Sequence, residues 1–101
     1  MAVRHFTITL AAAVQNLATA EGIARGGPDD LGYRTLYFQA TGADAFLGES
    51  TVTTTDYGLL IESTGQPTEE ILGASEAGPL HLSDFYAVGA GSTLHILGIP
   101  F

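Results

Sequence analysis

Residues 5–10, His5-Phe6-Thr7-Ile8-Thr9-Leu10, alternate without interruption, so Phe6, Ile8 and Leu10 share one face and His5, Thr7 and Thr9 the other. A period of two is the pattern of a half-buried strand. Residues 33–41 repeat it, with Leu36, Phe38 and Ala40 on one face and Tyr37 and Gln39 opposite. Further extended segments are expected at residues 45–47, along the β-branched run 50–55, and at 58–62, 85–88 and 93–97. The last two flank Gly89-Ala90-Gly91-Ser92, a connection of hairpin length, and are therefore expected to pair.

The pattern changes at residues 11–20, where Val14, Leu17 and Ala18 recur at helical spacing in an Ala-rich run. Gly22 and the breakers Gly26-Gly27-Pro28-Asp29-Asp30 close it, which predicts one short helix or helical turn. Residues 63–70, rich in Thr, Gly, Pro and Glu, read as an exposed loop. Short strands at spacings of about ten residues fit an all-β, single-domain β-sandwich or jelly-roll-like barrel with one short helical segment after the first strand. At 101 residues the chain is expected to form one domain, 1–101. Its predicted core is Phe6, Ile8, Leu10, Leu36, Phe38, Val52, Leu60, Val88, Leu94 and Ile96. The apolar end Ile99-Pro100-Phe101 is expected to dock, on its own core or on a neighbour.

Composition narrows the chemistry. The chain has no Lys, Cys or Trp, and three Arg stand against eleven carboxylates for a formal charge of −8. Such a balance repels a phosphate backbone, and Arg4, Arg25 and Arg34 are scattered, so no nucleic acid is expected as a partner. Without Cys there is no disulfide framework and no thiolate metal site. Residues 1–10 lack the continuous apolar stretch of a signal peptide, and nothing is apolar over enough length to span a bilayer, so a soluble product with no membrane partner is expected.

The reactive residue types do not assemble into a known pattern. His5, His81 and His95 belong to no metal-binding spacing. His81-Leu82-Ser83-Asp84 holds the residue types of a hydrolytic triad, but residues so close in sequence rarely fill all three roles, and a polar turn entering the next strand explains them better. Asp29-Asp30 and Glu69-Glu70 lack the alternating oxygens of a calcium loop and read as solvated loop charge. Gly89-x-Gly91 is a fragment of a dinucleotide fingerprint with no third Gly after it. Neither catalysis nor a cofactor or metal is expected. Tyr33, Tyr37, Tyr57 and Tyr86 suit either contact surfaces or the edges of the core, with a core edge favoured for Tyr37 and Tyr86 and exposure for Tyr57.

Three segments carry a resemblance: Arg34-Thr35-Leu36-Tyr37-Phe38-Gln39-Ala40; Gly48 with Thr51-Val52-Thr53-Thr54-Thr55-Asp56-Tyr57-Gly58; and Gly78-Pro79-Leu80-His81-Leu82-Ser83-Asp84-Phe85-Tyr86-Ala87-Val88-Gly89. Their order resembles small virion structural proteins of tailed bacteriophages, especially those of head and head-decoration genes. The resemblance implies a decoration or cement protein on the capsid surface, assembled in the host cytoplasm. Its partners would be the major capsid protein and copies of itself, with a homotrimer favoured. It also allows a tail or head-to-tail connector component. A carbohydrate-binding β-sandwich is a separate alternative, weakened by the absence of Trp. For partner contacts the sequence suggests Arg4 in the N-terminal arm, Arg25 in the Gly-rich loop, Tyr57 in a turn and the terminal Phe101.

Overall fold

Pairing along the chain follows one rule: the first strand joins the last, the second the one before it, and so on inward. In a computed structural model that describes residues 3–64, 69–73 and 78–101, the strands are β1 (Arg4–Thr9), β2 (Gln15–Asn16), β3 (Tyr33–Thr41), β4 (Ala45–Gly48), β5 (Leu59–Ile61), β6 (Glu69–Leu72), β7 (Tyr86–Val88) and β8 (Thr93–Pro100). β1 pairs with β8, β2 with β7, β3 with β6 and β4 with β5, all antiparallel. The chain is thus a long ribbon turned back on itself between β4 and β5. Rolling that ribbon adds the contacts β3 with β8 and β4 with β7.

Two four-stranded sheets result, ordered β1-β8-β3-β6 and β2-β7-β4-β5. This all-β arrangement is the double-sheet order of a jelly roll. Between the sheets lie Phe6, Ile8, Leu10, Leu36, Phe38, Leu94 and Ile96, joined by Leu17, Tyr33, Ala45, Leu47, Ile61, Leu82 and Ala87; Val52 and Val88 are buried too. Phe38 and Phe85 meet there with ring centroids 5.6 Å apart.

Rolling overrides several local expectations. β7 and β8 do not pair, because residues 89–92 carry the chain from one sheet to the other. That corner touches the one after β3: Gly42 has φ +86°, and a Cβ there would lie 2.7 Å from the Gly91 carbonyl oxygen. Residues 11–14 form the matching corner between β1 and β2. The helix is therefore only the single turn α1 (Leu17–Ala20), and Val14 is 42% exposed. Asn16 sets its start, its side-chain oxygen accepting from the N–H groups of Ala18 and Thr19 at 3.1 and 3.2 Å.

Residues 50–55 form no strand despite their β-branched content. The Thr53 hydroxyl accepts from the Asp56 and Thr55 N–H groups, and Thr53 N–H donates to the Asp56 carbonyl at 2.8 Å. Local bonding of this kind competes with a ladder and wins here. Leu60 leaves the predicted core: it stands opposite Phe46 on the outer face, whereas Ile61 and Leu59 stand opposite Ala45 and Leu47. A shift of one residue exchanges the faces of a strand. Glu69 and Glu70 open β6 instead of ending a loop, because β3 offers them a pairing edge; residues 65–68 of that loop lie outside the described residues. The apolar C-terminus docks on its own sheet, with Ile99 opposite Thr35 and Pro100 opposite Tyr33.

Candidate functional site

The alternation of β1, β3 and β8 puts its polar positions on the outer face of the first sheet, and the register arranges them in rows. Thr9, Thr93 and Thr41 form one row, Thr7, His95 and Gln39 the next, and His5, Leu97 and Tyr37 the third. A groove of about 440 Å³ runs along the second and third of these rows. His95 Nε2 lies 3.1 Å from Thr41 Oγ1, which orients the imidazole. Leu97, 39% exposed on the central strand, supplies an apolar centre.

Charge is distributed unevenly around this face. β1, β3 and β8 contain none of the eleven carboxylates and two of the three Arg, Arg4 and Arg34. In a chain of charge −8 these three strands thus carry no acidic residue, whereas β6, the fourth strand of the sheet, opens with Glu69 and Glu70. Aromatic, amide, hydroxyl and imidazole groups held by rigid strands suit recognition of another surface.

A second constellation joins Asp30, His81 and Ser83. The 3₁₀ turn Leu82–Asp84 forms as the Asp84 carboxylate accepts from the His81 N–H at 3.0 Å, which fits the polar turn expected there. Ser83 Oγ donates to Asp30 Oδ2 at 2.6 Å, and the Gly26 N–H donates to the same oxygen at 2.9 Å. His81 Nδ1 lies 3.0 Å from the Asp30 carbonyl oxygen. A carbonyl only accepts, so Nδ1 carries the hydrogen. It also lies 3.8 Å from Asp30 Oδ1. The Asp30 side chain is only 4% exposed, so this residue is not the solvated loop charge that its sequence context suggests.

Burial alone would raise the Asp30 carboxyl; the Ser83 hydroxyl, the Gly26 N–H, His81 and the Ser83 N–H outweigh it and hold the group below its ordinary 3.8. Burial pushes the Tyr33 phenol up, Arg4 pulls it down, and Asp30 pushes it up again. Although Asp30, His81 and Ser83 are the residue types of a triad, the serine proton is committed to the carboxylate and not to the imidazole, the reverse of an activated nucleophile. The cluster clamps the loop before β3 to the turn before β7.

The four residues suggested for partner contact are held by different neighbours. Arg4 belongs to no free arm: it opens β1, with its guanidinium 5.6 Å from the Phe6 ring centroid. Alternation places it with Phe6 and Ile8 on the inward side. Arg25 is exposed and lies 6.0 Å from the Tyr86 ring centroid. Tyr57 is 43% exposed and tilts against Phe46 at 5.1 Å. Phe101 is half-buried beyond the end of β8. Sequence reasoning assigned Thr7, Tyr37 and Gln39 to the faces opposite the core but not to one surface, and gave His95 no face. Joining them needs the β1-β8-β3 order, and a local pairing of β7 with β8 hides it. No family model matches the chain, and no curated protein or solved structure matches it significantly.

Proposed function

We propose that this chain is a structural protein of a tailed-bacteriophage virion that decorates the head, docking the outer face of β1, β8 and β3 on the lattice of the major capsid protein. The observation that carries the docking face is the exclusion of all eleven carboxylates from those three strands in a chain of charge −8. The groove on that face offers Tyr37, Gln39, His95 and Leu97 to a neutral or acidic partner. The resemblance of residues 34–40, 48–58 and 78–89 to phage head proteins supports the virion assignment. Jelly rolls are also frequent in viral capsid domains, a likeness of fold alone. Weak contacts suffice on a capsid, where a lattice repeats each of them many times.

The test has two parts. Mass spectrometry of purified virions is expected to find the chain in a fixed, near-stoichiometric ratio to the major capsid protein. Purified protein is expected to bind heads that lack it, and Leu97→Glu, which sets a carboxylate in the middle of the face, to weaken that binding tenfold or more, about 1.4 kcal/mol, without unfolding the domain. A handful of copies per particle would move it to a connector or tail. Absence from the particle would end the virion reading. Lectins also use jelly rolls, so a glycan array bound through Tyr37 and Gln39 would then favour the carbohydrate-binding alternative.

A further inference from the structure

The two sheets have four edges, and three are blunted. β2 has two residues and β5 three, too short to template a partner. β6 carries the consecutive carboxylates Glu69 and Glu70 within its four residues. Shortness and charge are the usual guards of a sheet edge. β1 has neither: its six residues, Arg-His-Phe-Thr-Ile-Thr, contain no carboxylate and no Pro.

The phase of its hydrogen bonds can be read off. Leu10 N–H donates to the Ser92 carbonyl at 2.9 Å, and continuing the register of Thr9 with Thr93 by one residue sets Leu10 opposite Ser92. Opposed residues bonded this way alternate with unbonded ones along an antiparallel ladder. The backbone groups of Arg4, Phe6 and Ile8 therefore face β8. Those of His5, Thr7 and Thr9 face out from the edge, and all three residues are exposed.

We infer that β1 is a self-pairing edge, joining two copies of this chain antiparallel about a two-fold axis through Thr7. This register uses every outward group of the strand: Thr7 meets Thr7 of the second copy, and His5 meets Thr9 in both directions. Phe6 then stands opposite Ile8 on the inner face, so the core side continues across the junction, while the outer face gains a Thr–Thr pair. Just before the strand, Val3, 60% exposed, comes opposite the exposed Ala11. Charge selects the occupant: two molecules of charge −8 repel, and this edge brings no carboxylate of β1 against its copy. The axis runs perpendicular to the sheet, so both outer faces point the same way. An antiparallel self-pair is two-fold by construction, which makes the assembly a dimer and not the trimer implied by the resemblance. The inference does not rest on the virion reading.

Sedimentation equilibrium of the full chain is expected to give twice the 10.5 kDa mass. Thr7→Pro removes an outward N–H and no bond of the β8 ladder, a position where an edge strand tolerates proline; its dimer dissociation constant is expected to rise about thirty-fold or more. Thr7→Glu sets two carboxylates opposite each other and is expected to dissociate the dimer at low salt and to regain part of it at high salt. Hydrogen exchange supplies the readout that does not depend on a variant: the amides of His5, Thr7 and Thr9 are expected to gain protection as concentration rises. A wild-type monomer at every concentration, a trimer, or a dimer that both variants leave intact with those amides unprotected would overturn the inference.

Discussion

The two sheets share one core but are held together differently. In the β1-β8-β3-β6 sheet the three long strands run to six, eight and nine residues, and extended ladders do the joining. In the β2-β7-β4-β5 sheet no strand exceeds four residues. There, side chains stand in for ladder bonds. Asn16 caps α1 and donates to the Ser83 carbonyl at 2.9 Å. Asp44 accepts from both the N–H and the hydroxyl of Ser63. The long sheet therefore depends on volume and alternation, while the short one depends on a few particular polar groups.

The largest test of this contrast is one substitution made in each sheet. Phe38 is fully buried on β3 and meets Phe85 across the core. Phe38→Ala is expected to cost about 3–5 kcal/mol, the usual range for a large buried aromatic. Phe46, on the outer face of β4, is half-buried and meets the exposed ring of Tyr57. Phe46→Ala is expected to cost no more than about 1.5 kcal/mol, the scale of an aromatic pair. Urea denaturation of both variants measures the difference, and equal losses would mean that the outer face of the short sheet is packed as tightly as the core.

A smaller test exchanges volume for polarity. Asn16→Ala removes a cap and the bond to Ser83, and is expected to cost about 1–2 kcal/mol. Gln39→Ala, on the outer face of the long sheet, is expected to stay within about 0.5 kcal/mol of wild type, as surface changes do. Equal midpoints for the two variants would remove the distinction between laddered and side-chain-tied sheets.

The same contrast explains what could be read in the sequence. The long strands were legible because alternation is a two-residue signal that burial on one face enforces: β3 falls on the predicted residues 33–41, and Phe6, Ile8, Leu36, Phe38, Leu94 and Ile96 fill the core. The short sheet was less legible because partners distant in the chain decide it. Nothing local in residues 58–62 says that Ile61 faces Ala45 while Leu60 faces Phe46, and the β-branched run at 50–55 is turned by the Thr53 hydroxyl. For the candidate site, the outward residues of each strand were visible, but their meeting on one face follows from β8 lying between β1 and β3. Asp30 was hidden for a similar reason: its clamp, Ser83, lies 53 residues away.

That clamp gives the smallest effect and the one most specific to the polar half of the molecule. Although burial pushes the Asp30 carboxyl up, its hydrogen bonds and His81 bring it below the ordinary 3.8 in the folded state. A carboxyl whose folded value is depressed binds fewer protons folded than unfolded, so it contributes stability above the unfolded value and loses it as pH falls through the folded one. The contribution is therefore whole at neutral pH and is lost as pH falls past the ordinary 3.8 toward the lower folded value. Asp30→Asn deletes the titration while keeping a side chain of nearly the same shape. The gap in urea midpoint between wild type and this variant is expected to be constant from about pH 7 to pH 5 and to narrow toward pH 3. A gap that persists unchanged at pH 3 would mean that Ser83 and Gly26 hold the neutral acid as firmly as the carboxylate, and that the loop before β3 is fastened by shape instead of charge.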